Sequence, residues 1–245
     1  MFCVLGAAVS CALFVGLSVA LVDRPAATWI HAHLGTRRFA WFTSTYYGPP
    51  LPFGPFGLMA TPSAALPLAA ALLFAALAFG AYAGRRLGEG GRALLATCVA
   101  VFAANEIVAF LKGVFGRTWP ESWLGNNPSW VRDGVFGFFP FHGGQEWASF
   151  PSGHTAVVTA AATVLWIVSP DLKLAWAALV ALVVVGLIGG NYHFVSDVIA
   201  GLYFGAGIGL GTARLMLSPG DPVGPRGGPD RIRSSGNGRD PPEVN

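Results

Sequence analysis

Three short groups of residues carry the chemistry available to this sequence. Lys112 and Arg117 follow one apolar run, Pro151, Ser152, Gly153 and His154 open another, and His193 and Asp197 stand four apart where two more meet. On a continuing helix that spacing puts His193 and Asp197 on one face, where the carboxylate can hold the imidazole in one tautomer and stabilise its charged form. A nucleophilic or general-base histidine needs such a partner. The same pair suits two ligands of a metal, but Glu106 lies inside an apolar run and His142 in a loop, so no metal is assigned. Ser152 stands where a helix N-cap belongs, and the amides after it can receive an anion. Singly, Ser152 reads as a cap, Lys112 as a snorkelling anchor and His193 with Asp197 as a structural pair. Together they make a phosphate site in which one histidine attacks phosphorus and the other protonates the leaving oxygen. Cations and backbone amides hold the phosphoryl oxygens, and neither Mg²⁺ nor another cofactor is required.

The elements that must bring these groups together follow from composition. Of 245 residues, 53% are hydrophobic and 11% charged, which excludes an ordinary soluble enzyme. The apolar residues fall into runs long enough to cross a bilayer core of about 30 Å. Six spans are expected: Met1 to Val22, Ser63 to Gly84, Ala93 to Leu111, Ser152 to Ser169, Leu174 to Tyr192, and Val195 to Leu215. The first lacks a basic leader and reads as a retained helix. The expectation is therefore an all-α integral membrane protein, a six-helix bundle over 1–217, with a disordered polar tail over 218–245 that has almost nothing to bury. Glu106, inside the third span, is expected to face a partner within the bundle. Ala26 to Phe56, with Trp29, Trp41, Tyr46 and Tyr47, suits an interfacial segment, and the aromatic stretch from Lys112 to Phe150 suits a lid at headgroup depth. Gly201, Gly205, Gly207, Gly209 and Gly211 suit close helix packing rather than a dinucleotide turn, and Cys3, Cys11 and Cys98 read as small hydrophobes.

Orientation follows from the basic residues. With the N-terminus inside, Arg85, Arg86, Arg92, Lys173, Arg214, Arg226, Arg231, Arg233 and Arg239 fall on the inner side. The outer side holds Arg24, Arg37, Arg38, Lys112, Arg117 and Arg132. Nine against six favours cytoplasmic termini in a bacterial inner membrane. All three polar groups then meet on the periplasmic face. The charge is spread over loops and tail, so nucleic-acid binding is not expected.

These residues resemble the type 2 phosphatidic acid phosphatase superfamily, whose site design is shared with vanadium haloperoxidases. The shared pattern is a Lys followed after six residues by Arg-Pro, then Pro-Ser-Gly-His, then Ser-Arg, five residues, His, three residues and Asp. Lys112 and Pro120, all of Pro151 to His154, and His193 with Asp197 match it. The resemblance implies that His193 forms a phosphohistidine, Asp197 orients it, His154 is the acid for the leaving group, and Lys112, Ser152 and Gly153 hold phosphate. Two arginines of the pattern are replaced: Trp119 precedes Pro120, and Gly186 and Leu187 stand for the Ser-Arg. A cation about 4 Å from a phosphate charge is worth about 4 kcal/mol at an effective dielectric of 20, so substitutes are needed. Arg117 and Arg132 are expected to restore the clamp, with Asn191 as a weaker donor. The substrate expected is a lipid phosphate or diphosphate reaching the site from the bilayer. Two rivals stand beside this reading: an intramembrane serine protease using Ser152 and His193, and a lipid-phosphate binder or transporter without turnover.

Overall fold

The structure, a computed structural model, describes residues 2–34, 55–122 and 127–217. The expected tail, Trp41, Tyr46, Tyr47 and Trp123 lie outside the described residues. Among those described the chain is helical, without β-strands. The helices are α1 (Phe2–Leu21), α2 (Asp23–Leu34), α3 (Pro55–Tyr82), α4 (Glu89–Phe115), α5 (Trp130–Asp133), α6 (Gly153–Val168), α7 (Lys173–Gly189) and α8 (Val195–Met216).

Five helical stretches are long and apolar enough to cross a membrane: Val4–Leu21, Ala65–Tyr82, Glu89–Phe115, Pro170–Gly189 and Val195–Met216. Their outward faces carry large apolar side chains, among them Leu13, Leu72, Phe110, Leu174 and Leu215, as contact with lipid requires. The expected fourth span is different. Helix α6 has 16 residues, about 24 Å at 1.5 Å per residue, which falls short of the bilayer core. It runs through the middle of the bundle, packed against α3, α4, α7 and α8, with Thr155 to Ala162 buried throughout. A helix so enclosed meets protein rather than lipid, so the length rule for lipid-facing spans does not bind it.

Glycine lets α8 approach α6 closely. Cβ atoms added at Gly201 and Gly209 would lie 2.7 Å from the Ser152 carbonyl oxygen and 2.6 Å from that of Ala160, and one at Gly205 would overlap the Ala156 carbonyl. Along this seam α8 lies on α6 almost backbone to backbone. Gly207 and Gly211 face open space, so close packing accounts for three of the five glycines. At the other end of the site, α4 stops at Gly116, whose φ of 55° lies in the left-handed region. A side chain there would strike the Phe139 carbonyl, and the Phe139 amide donates to the Gly116 carbonyl at 2.6 Å.

Two expectations need correction here. Glu106 does not face the bundle: Val101, Ala104 and Val108 take the inward face of α4, and Glu106 is exposed. Its hydrogen bond among the described residues comes from the Asn105 amide at 3.0 Å. The aromatic stretch is only partly a lid. Phe136, Phe138 and Phe150 turn inward around Arg117, while Phe141 stands out, 82% exposed.

Candidate active site

The site forms at the end of the bundle where α4 stops and α6 and α8 begin. Ser152 caps α6, its hydroxyl accepting from the Thr155 amide at 3.4 Å and pairing with the Thr155 hydroxyl at 2.9 Å. A backbone bond from the Ser152 amide to the Asp197 carbonyl, 3.0 Å, ties the start of α6 to the start of α8. Lys112, in the last turn of α4, reaches this junction: a Cβ added at Gly153 would lie 3.7 Å from its ammonium nitrogen. Lys112, His154 and His193 act electrostatically on one another. Tyr192 connects the two histidines, its ring 6.0 Å from that of His154 and 5.3 Å from that of His193.

His193 is buried, with Nδ1 3.4 Å from Oδ2 of Asp197. Asp197 sits in the first turn of α8, where the helix dipole favours an anion. Its carboxylate is saturated with donors. Oδ1 accepts from Nη1 of Arg117 at 2.6 Å; Oδ2 accepts from the Ser149 hydroxyl at 2.6 Å and the Phe194 amide at 3.0 Å. Burial lowers the pKa of His193, and the Lys112 charge adds to that, while Asp197 and the Ser149 backbone oppose it. The net direction is downward, so the imidazole is held neutral below the ordinary histidine range.

The structure thus brings together Lys112, Ser152, Gly153, His154, His193 and Asp197. It places the two substitute arginines elsewhere. Arg117 is completely buried, with Nη1 on Asp197 and Ser196 and Nη2 on Asp23 at 2.7 Å. Its terminal nitrogens face carboxylates, so the expectation that it grips phosphate does not match its geometry. Arg132 is exposed on α5, bonded to the Asp133 carboxylate and the Asn127 carbonyl, and none of these contacts touches the histidines. Asn191 donates to Glu121 and to the Ala27 carbonyl. The two positions that depart from the shared pattern, Trp119 and Leu187, pack in one buried apolar cluster with Tyr192 and Val198. The Trp119 ring lies 5.2 Å from that of His193 and 5.9 Å from the Lys112 ammonium, and its indole N–H donates to the Gln145 carbonyl at 2.9 Å.

The protease rival fares poorly in this geometry. The hydroxyl beside His193 is that of Ser149, 3.5 Å from Nδ1, rather than Ser152. Ser149 shares with Asp197 the same imidazole nitrogen, whereas a nucleophile would take the opposite one. Sequence reasoning passed over Ser149, Asp23 and Ser196. Each is a short polar residue beside an apolar run, without periodicity or spacing to mark it.

Comparison with known proteins agrees with the motif set. The PAP2 superfamily pattern matches residues 93–219. A lipid A 1-phosphatase of Rhizobium johnstonii is 39% identical over 113 residues, 46% of this chain and 43% of the relative. A lipid A 1-phosphatase of Rhizobium etli is 38% identical over 113 residues, 46% of each chain. The matched segment spans under half the length of these curated relatives. No solved structure matches.

Proposed function

Because the chain belongs to the PAP2 superfamily, we propose that it is an integral membrane phosphatase that hydrolyses a lipid phosphate or diphosphate through a phosphohistidine on His193. The observation that carries this reading is the convergence of Lys112, the capped start of α6, His154 and the His193–Asp197 pair at one end of the bundle. The lipid A 1-phosphatase relatives support a phosphorylated saccharolipid as the first substrate to test, ahead of phosphatidic acid, phosphatidylglycerol phosphate and polyprenyl diphosphate. The basic-residue bias supports a periplasmic site and cytoplasmic termini, with enclosed α6 making the sixth crossing of the bundle.

In this mechanism Asp197 engages Nδ1 and leaves Nε2 free to attack phosphorus. The N–P bond forms as the bond from phosphorus to the leaving oxygen breaks, and His154 gives that oxygen its proton. Water then attacks the phosphohistidine, His154 takes a proton from it, and inorganic phosphate leaves with His193 restored. Lys112 and the first amides of α6 face the charge on the phosphoryl oxygens. Nothing in the scheme calls for a metal. Phosphate release from the detergent-solubilised chain, across those four lipids, tests the proposal. His193→Ala is expected to abolish release, and His154→Ala to lower it by roughly 10²- to 10⁴-fold. Release that survives His193→Ala would exclude the covalent mechanism.

A further inference from the structure

Behind the histidine lies a buried row of alternating charges, Asp23, Arg117, Asp197 and then the imidazole. Asp23 opens α2 and is completely buried. Its Oδ1 accepts from the Ser18 hydroxyl and the Ser196 amide, both at 3.0 Å, and its Oδ2 accepts from Nη2 of Arg117 at 2.7 Å and the Ser196 hydroxyl at 2.5 Å. One carboxylate therefore gathers α1, the segment after α4, and the first turn of α8. It lies outside residues 93–219, in a part of the chain the family pattern does not cover.

We propose that Asp23 is a positioning residue for catalysis, holding the Arg117 guanidinium so that Asp197 keeps its orientation toward His193. This rests on the phosphatase reading above. The guanidinium is planar, with its donors in a fixed fork, so anchoring Nη1 on one carboxylate and Nη2 on another fixes its plane. Four phenyl rings, those of Phe136, Phe138, Phe150 and Phe194, lie 4.6 to 5.9 Å from its central carbon. On those sides it meets rings, and among the described residues Nε has no hydrogen-bond partner. Without the Asp23 charge, the buried cation keeps Asp197 as its one carboxylate among the described residues. Arg117 then draws more strongly on the carboxylate that should steady the imidazole, and the field at His193 becomes more positive. The other titratable or charged groups that face His193 are Lys112 from α4, His154 from α6, Asp197 from α8 and the adjoining Tyr192, and the neutral Ser149 and Trp119 also touch it. None of them bonds to Asp23 itself, so the effect of neutralising it reaches His193 through Arg117 and Asp197.

The test uses Asp23→Asn, which keeps shape and an acceptor oxygen but removes the charge. Full-length protein in detergent is labelled at histidine, the His193 resonance is identified by its loss in His193→Ala, and its titration is followed by NMR beside kcat and KM for phosphate release. A folded Asp23→Asn protein is expected to titrate His193 about half a pH unit lower or more, with kcat down about tenfold and KM within about threefold. A purely architectural Asp23 would leave the titration where it is. Wild-type titration and wild-type kcat in folded Asp23→Asn would overturn the proposal. If that variant does not fold, Asp23→Glu keeps the charge and displaces it by one methylene. The turned guanidinium then changes its hold on Asp197, so a moved His193 titration together with a loss in kcat is expected, and a wild-type titration would overturn the proposal. Failure of the wild-type chain to release phosphate from any lipid would sink the phosphatase reading alone, because the NMR titration still reports on Asp23.

Discussion

At the scale of the residue, His193 is a base whose surroundings pull in opposite directions. Burial disfavours its charged form more than Asp197 favours it, so the neutral imidazole needed for attack persists into mild acid. The acid limb of the kcat/KM profile is therefore expected below about pH 6.5, the ordinary histidine value. Ser149 bears on the same balance. Its hydroxyl donates to Oδ2 of Asp197 at 2.6 Å and so shares the carboxylate with His193. Ser149→Ala removes that donor, leaves Asp197 freer to stabilise the imidazolium, and should move the acid limb toward higher pH while lowering kcat. The shift is opposite in sign to that expected of Asp23→Asn, and a pH series on both variants checks it. This level of detail was only half legible in the sequence. The cap at Ser152 translates directly into geometry, whereas His193 and Asp197 meet for another reason than a shared helix face: His193 stands in the bend before the N-cap of α8 and Asp197 in its first turn. The destination of Arg117 was not legible. Its carboxylate partners lie 94 and 80 residues away, and no local pattern distinguishes an arginine that meets phosphate from one that meets two aspartates.

At the scale of the element, the position of His154 relative to Asp197 depends on the seam between α6 and α8. Gly205 faces the Ala156 carbonyl across that seam and Gly207 faces nothing. A methyl group at Gly205 must push two backbones apart, so Gly205→Ala is expected to cost about 2–3 kcal/mol and to lower activity, because the two catalytic segments ride on the displaced helices. Gly207→Ala should stay within about 0.5 kcal/mol of wild type, and thermal unfolding in detergent compares the two. The helices themselves were legible from length and hydropathy because lipid imposes one rule on every lipid-facing span. That rule does not govern α6, whose neighbours are protein, and the expected inward turn of Glu106 would have displaced Val108 or Ala104 from the packed face of α4.

At the scale of the whole molecule, the candidate site residues share one end of the bundle although they come from distant parts of the sequence, the segment after α4 and the start of α8 meeting through residues 80 apart. Their side of the membrane is open to direct test. In a chain whose native cysteines are replaced, Gly143→Cys, in the connection before α6, should react with an impermeant maleimide added to intact cells. Gly84→Cys, in the turn between α3 and α4, should react only after the cells are opened. The reverse labelling would put the site in the cytoplasm. The buried carboxylate at the start of α2 also has a consequence in time. Asp23 leaves the ribosome before Arg117, and both leave it well before their partners on α8. The contacts among Asp23, Arg117, Ser196 and Asp197 cannot close until α8 has been made, so a nascent or truncated protein that lacks α8 leaves His193 without its carboxylate partner and Arg117 with a buried charge half answered.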